Sequence, residues 1–237
     1  MQKVEKNENL VEEMFVAGSH YGYSKTRRHP SVSSYIYATK NKTDIIDLEK
    51  TSLMLQEACD FVQKLSSNGK IILFVGTKPE AKDLVKNTAE SLGMPYVIER
   101  WIGVTISNFV EIKKRINELE NYKKENVSGE LEKYTKKEKL VLAKKMEKLA
   151  KYYSGLIGLK KIPDALFVVD SKKEKIASTE ARKCNIPVIS LSNTDNNIKD
   201  IDYPIVANDA SIPSIKLLIN KISDSFKKGQ LSAPIKE

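Results

Sequence analysis

The residues best suited to chemistry lie in GSHYGYSKTRRHP, Gly18 to Pro30, where Tyr21 and Tyr23 are interleaved with Lys25, Arg27, Arg28, His20 and His29. Guanidinium groups make bidentate phosphate contacts and aromatic faces stack on unpaired bases, a combination that suits structured RNA. Gly18 and Gly22 allow the backbone to come close to a ligand. The plainer reading is an exposed loop that happens to be basic. His20 and His29 are the only two histidines, and neither has a cysteine partner or HExxH spacing, so no metal site is expected.

A second candidate is FVGTKPEAK, Phe74 to Lys82, where an apolar run ends in Gly76 and turns into a helix. Amides at a helix start together with Lys78 can hold a phosphate, whether of a small ligand or of RNA. The GxxxxGK[ST] and GxGxxG signatures are missing, and an ordinary strand-to-helix turn explains the segment better than a nucleotide site does. Asp164, Asp170, Asp195, Asp202 and Asp209 fall near predicted strand ends, where α/β enzymes keep catalytic carboxylates. No nucleophile, general base or second metal ligand accompanies them, and aspartate also favours turns. With no GxSxG and no paired Cys and His signature, no catalytic residue and no cofactor is expected. A phosphate-ligand-binding α/β enzyme or sugar-phosphate module at Gly76 to Lys78 remains the alternative, with a protein-binding helical adaptor as a third reading.

Composition narrows the partners. The 237 residues suffice for one good core with at most a small added module. Forty Lys and Arg against 31 acids give a net charge of +9, which favours polyanions: nucleic acid first, an anionic membrane surface second. MQKVEKNENL has no apolar h-region, and runs such as Ile71 to Val75 are too short to span a bilayer. Cys59 and Cys184 lack any CxxC or metal-ligand spacing and read as core residues in a reducing compartment. A cytosolic protein is expected, with no small-molecule substrate.

The elements that must position these residues alternate in the manner of a parallel sheet. Strands are predicted at Tyr35 to Ala38, Asp44 to Asp47, Ile71 to Val75, Tyr96 to Ile98, Ala165 to Val169, Pro187 to Leu191 and Tyr203 to Val206, with helices over 10–17, 49–67, 79–92, 172–184 and 212–227. Thr77 with Glu80, Ser171 with Glu174 and Thr135 with Glu138 have capping-box spacing. Pro79 and Pro213 suit first helical turns.

A different period interrupts this pattern. Phe109, Ile112, Ile116 and Leu119, then Leu142, Met146, Leu149 and Tyr153, recur at three and four residues, with a turn expected at Asn126 to Gly129. The spacing predicts an antiparallel helical hairpin. Its span from Glu111 to Lys151 holds 13 basic and eight acidic residues, and Lys113, Lys114, Arg115, Lys144 and Lys145 are its candidate contacts to RNA or protein. Many of these lysines also fit a merely solvated face. The chain thus divides into one discontinuous α/β domain, 1–103 and 155–227, an inserted coiled-coil hairpin, 104–154, and a flexible tail, 228–237.

These blocks together resemble a known family. GSHYGY with TRRHP, IIDLEKT at Ile45 to Thr51, ILFVGTK at Ile72 to Lys78, RWIGVTISNF at Arg100 to Phe109, YTKKEKL at Tyr134 to Leu140, PDALFVVD at Pro163 to Asp170 and EARKCNIPVISLSNT at Glu180 to Thr194 occur in the order found in bacterial small-subunit ribosomal protein S-two. IDYPIVANDASIPSIKLL, Ile201 to Leu218, extends the likeness to roughly residues 9–227. The resemblance implies a flavodoxin-like α/β domain with a protruding coiled-coil hairpin. It also implies binding of 16S ribosomal RNA between head and body of the small subunit, contact with neighbouring small-subunit proteins, and help in recruiting ribosomal protein S-one. Residue by residue, Lys25, Arg27 and Arg28 and the turn at Arg100, Trp101, Ser107 and Asn108 become RNA-facing candidates. His29 and Lys78 join them from the same loop and from the Gly76 turn.

The chain departs from the family at several points. Tyr23 stands where the family usually has His, and Arg28 and His29 where Trp and Asn are common. Val104 replaces the second glycine of a Gly-Gly pair. Loss of that glycine removes easy access to positive φ and predicts a reshaped start to the hairpin.

Overall fold

Apolar runs such as ILFV and ALFVV are stable only in a sheet covered on both faces. In the computed structural model, which describes residues 2–128 and 135–232, the strands β4 (Ile72–Val75), β6 (Ala165–Val169) and β7 (Val188–Ser192) are buried at every position. With β5 (Tyr96–Val97) and β8 (Tyr203–Val206) they form a five-stranded parallel sheet in the order β5-β4-β6-β7-β8. Counted along its own strands the order is 2-1-3-4-5, a common doubly wound arrangement whose switch point lies between β4 and β6.

Helices cover both faces. Phe74, Phe167 and Ile189 pack under α2 (Leu48–Ser67), α3 (Pro79–Leu92) and α7 (Ile212–Leu231), with Met14 from α1 (Gln2–Val16) joining the same core. Leu73, Val75, Leu166, Val168 and Val188 face the other way, onto α6 (Lys175–Lys183) and the near ends of α4 (Phe109–Ser128) and α5 (Lys136–Tyr153). The expected flexible tail begins too early: α7 runs on through Leu231, and a side chain at Gly229 would lie 2.4 Å from the Gln63 carbonyl of α2.

A smaller antiparallel sheet, β1 (Tyr21–Ser24), β3 (Thr43–Ile46) and β2 (Ile36–Lys40) in that order, stands beside the main one. Asn41 and Lys42 both take positive φ, 50° and 65°, as a two-residue hairpin between β2 and β3 requires. β1 departs from the sequence-based expectation, which has YGYS as loop.

In α4, Ile112, Ile116 and Leu119 are buried; in α5, Met146 and Tyr153 are. An ion pair from Lys145 to Glu118 crosses between the two helices. Thr135 and Glu138 form the expected capping box at the start of α5. Asn126 to Ser128 continue α4 instead of turning, and Gly129 lies outside the described residues.

The other two capping boxes do not form, because their members have better partners elsewhere. Thr77 donates through both its amide and its hydroxyl to Glu174. Ser171 bonds Ser192, while Asp170 Oδ1 accepts from the amides of Lys172 and Lys173.

Candidate nucleic-acid interface

The basic segment is anchored onto the end of the parallel sheet. The Tyr23 amide donates to Thr194 Oγ1 at 2.9 Å and the His29 amide to the Thr194 carbonyl at 2.8 Å. Gly22 makes this possible, since a Cβ there would lie 2.6 Å from Thr194 Cγ2. The close backbone contact expected of this glycine is therefore internal and not to a ligand.

Within that frame the cations divide. Arg27 is half exposed, lies 4.2 Å from the Tyr23 ring and meets the buried Asp195 at 3.0 Å. Lys172, also half exposed, reaches the same carboxylate oxygen at 2.8 Å. Lys25 is exposed next to them in sequence, and Lys173 donates to the Thr77 carbonyl at 3.3 Å. Arg27, Lys172 and Lys173 place positive charge around the carboxyl ends of β4, β6 and β7. Lys172 and Lys173 are missing from the sequence-based candidates, and their position three and four residues beyond β6 is the signal that could have found them.

Arg28 is spent internally. Its guanidinium takes Asp44 with Nε at 2.6 Å from Oδ2 and Nη2 on Oδ1, and Asp44 is fully buried. This pairing holds the Asp44 carboxyl below its usual range. His29 serves as a cap: its Nδ1 accepts from the Ser31 amide at 3.2 Å. Arg28 is thus committed to the fold, and the imidazole of His29 is held by its cap.

Lys78 is also internal. Its ammonium lies 3.1 Å from Asp170 and 3.0 Å from Asp209 across the β4 and β6 switch point, with only 12% of the side chain exposed. Burial alone would lower its pKa, but Asp209 and Asp170 outweigh that and push it above its ordinary value. Asp209, completely buried, is pushed up by burial and by Asp170. The first amide of the Thr77 turn is taken by Glu174. Where doubly wound folds open a ligand crevice, this chain has its own ion triad.

The RWIGVTISNF turn is organised by a residue that the sequence did not flag. Glu180 accepts from Trp101 Nε1 at 2.9 Å, from the amides of Val104, Ile106 and Ser107 at 3.1, 2.7 and 2.8 Å, and from Ser107 Oγ at 3.0 Å. Desolvation opposes its ionisation, yet the bonds from Ser107, Trp101 and Ile106 prevail and hold its pKa below the ordinary value. Trp101 is only 4% exposed, so it is a core residue and not a stacking platform, and the Ser107 hydroxyl is committed. Arg100 and Asn108 remain exposed on the same turn. Val104 adopts φ 66° despite its branched side chain, so the left-handed conformation is reached here without a glycine.

On the paired helices, Lys113, Lys114, Arg115, Lys144 and Lys145 are all exposed. Arg115 and Lys145 both pair with Glu118, and Lys114 pairs with Glu111 at 2.5 Å. Among the described residues no cluster of three or more His, Cys, Asp or Glu side chains has metal-binding geometry, and no helix is long and apolar enough to cross a membrane.

A doubly wound sheet with a self-neutralised switch point and anchored cations at its rim defines a cationic α/β scaffold. Comparison with known proteins gives this class a family. The profile of the family described as ribosomal protein S2 matches residues 14–229. The chain is also similar to the small ribosomal subunit protein uS2 of Thermus thermophilus, 45% identical over 217 residues that cover 92% of this chain and 85% of that protein. The chain belongs to the ribosomal protein S2 family. It is a cytoplasmic ribosomal protein of the small subunit with a part in translation, a structural constituent and not an enzyme.

Proposed function

We propose that this chain binds 16S ribosomal RNA between the head and body of the small subunit, neutralising phosphates from cations held at fixed positions by the sheet. The observation that carries this is the anchored rim: Arg27 lies over Tyr23 and, with Lys172, shares the buried Asp195, so both cations are pre-positioned while still exposed. Lys25, Lys173, Arg100 and Asn108 complete the proposed RNA-facing set. Arg28, His29, Lys78, Trp101 and Ser107 act behind it by holding the loops in place.

The second basic surface is α4 and α5, which we read as a protruding antiparallel coiled coil inserted at 104–154 in a single discontinuous α/β domain. Burial of the seam residues Ile112, Ile116, Leu119 and Met146 supports this reading, as does the Lys145 to Glu118 ion pair across the helices. Arg115, Lys144 and Lys145 lie outside the seam and add charge to it. The family likeness further supports a role in recruiting ribosomal protein S-one. Small subunits depleted of this chain should carry less S-one on a gradient, and unchanged S-one content would remove that part of the reading.

The RNA reading is tested by sedimentation at moderate salt, where counterion release makes nonspecific association fade steeply. Arg27→Ala with Lys172→Ala, made in an Asp195→Asn background so that no unpaired carboxylate is left buried, should reduce co-sedimentation with small subunits severalfold. Normal co-sedimentation of the folded variant would overturn it.

A further inference from the structure

The first turns of α4 leave one apolar position unused by the packing against α5. Val110 is 67% exposed, and with Lys113, Lys114 and Asn117 it follows the i, i+3, i+4, i+7 spacing of a single helix face. That face looks across an open groove of roughly 640 Å³ to the segment Lys160, Lys161 and Ile162 that leads into β6. Half-buried Phe109 and Ile162, 47% exposed, complete an apolar floor. The two walls meet where Lys113 Nζ donates to the Lys160 carbonyl at 3.4 Å.

The rim is cationic. Lys114 has Glu111 and Lys161 has Asp164 at 2.9 Å, but among the described residues neither Lys113 nor Lys160 has a carboxylate partner. RNA phosphate would satisfy the rim and leave the floor facing a hydrated strand. A purely apolar partner would strand the four ammonium groups. An apolar strip flanked by positive charge is complementary to an amphipathic segment with apolar side chains on one face and carboxylates beside them.

We propose that this groove seats an acidic amphipathic segment of another protein, by the apolar floor of Phe109, Val110 and Ile162 and the ammonium groups of Lys113 and Lys160. The site is separate from the rim at Arg27 and Lys172, and it needs no RNA.

A photo-crosslinking phenylalanine analogue placed at Val110, and in a second variant at Ile162, tests the proposal in the full-length chain inside cells. Both positions are solvent-exposed, so the substitutions leave the core untouched. The expected adduct, mapped by mass spectrometry, is a peptide with apolar residues and net negative charge. Lys113→Glu with Lys160→Glu should lower its yield by roughly tenfold, about 1.4 kcal/mol of rim attraction. An adduct with RNA, an adduct with a neutral or basic peptide, no adduct from either position, or a yield indifferent to the charge reversal would each overturn it.

Discussion

Glu180 receives the indole N–H of Trp101, 79 residues earlier in the chain, at 2.9 Å. The pair ties α6 to the segment through which the backbone leaves the sheet for α4. One carboxylate thereby satisfies backbone amides that burial would otherwise strand, and it sets the direction in which α4 departs.

Because Trp101 is the only tryptophan, its emission reports this tie directly. Glu180→Gln keeps the size but turns an amide NH₂ group toward donors, and should cost about 2 kcal/mol with a red shift of Trp101 emission. The folded pKa is depressed, so the stabilisation is present above the ordinary value of 4.5 and is lost as pH falls through the lower folded value. Urea unfolding of both forms, followed by emission at neutral and acid pH, checks this. Equal stability at neutral pH would mean that the bonds contribute nothing net.

Two adjacent arginines should behave oppositely. Arg28→Ala leaves the fully buried Asp44 without its partner and should destabilise the fold by about 3–5 kcal/mol. Arg27→Ala removes a half-exposed pair and should cost under about 1 kcal/mol while weakening RNA association. Denaturation and small-subunit sedimentation of each single variant separate the roles. A folded Arg28→Ala protein with wild-type stability would contradict the assignment.

What the sequence disclosed and what it hid follow from the range of the interactions. β6, β8 and α3 match their predicted bounds because their determinants are local: continuous apolar runs in the strands, and in α3 a first-turn Pro79 and a left-handed Gly93 after its end. β1 escaped because YGYS has no apolar alternation and exists as a strand only through pairing with β3. The candidate site failed in the same way. Arg28, Lys78 and Trp101 looked available because their partners Asp44, Asp209 and Glu180 lie 16 or more residues away. The misplaced capping boxes share that cause, since Thr77 has locally suitable Glu80 but is claimed by Glu174.

The ion triad at the switch point gives a pH-dependent prediction. Lys78→Met leaves Asp170 and Asp209 adjacent and unneutralised, and should cost about 3–5 kcal/mol at neutral pH. Asp209 already has a folded pKa above its ordinary 3.8, so its ionisation works against the fold as pH rises through that window. The Lys78→Met defect should therefore shrink in acid, and Asp209→Asn in the same background should recover part of it. The wild-type ammonium, with a raised pKa, contributes fully below 10.5 and loses its contribution only as pH rises through the higher folded value. Denaturation curves at two pH values decide the matter: a defect that does not vary with pH would show that the carboxylates are not repelling each other.

Val104 offers a case in which the fold is improved by removing a side chain. Its φ of 66° is costly for a β-branched residue by about 1–2 kcal/mol, while a glycine would lose about 0.5–1 kcal/mol to unfolded-state entropy. The side chain is 55% exposed, so little burial is forfeited. Its amide donates to Glu180 and its carbonyl accepts from Asn108 at 2.9 Å, bonds that fix this conformation from both sides and that glycine would keep. Val104→Gly should therefore raise stability by up to about 1 kcal/mol, or about 2–4 °C in Tm for a chain of this size, with Trp101 emission unchanged. Val104→Ala keeps a Cβ in the left-handed region and should gain much less. A fall in Tm for the glycine variant would mean that the strain is absorbed elsewhere in the turn.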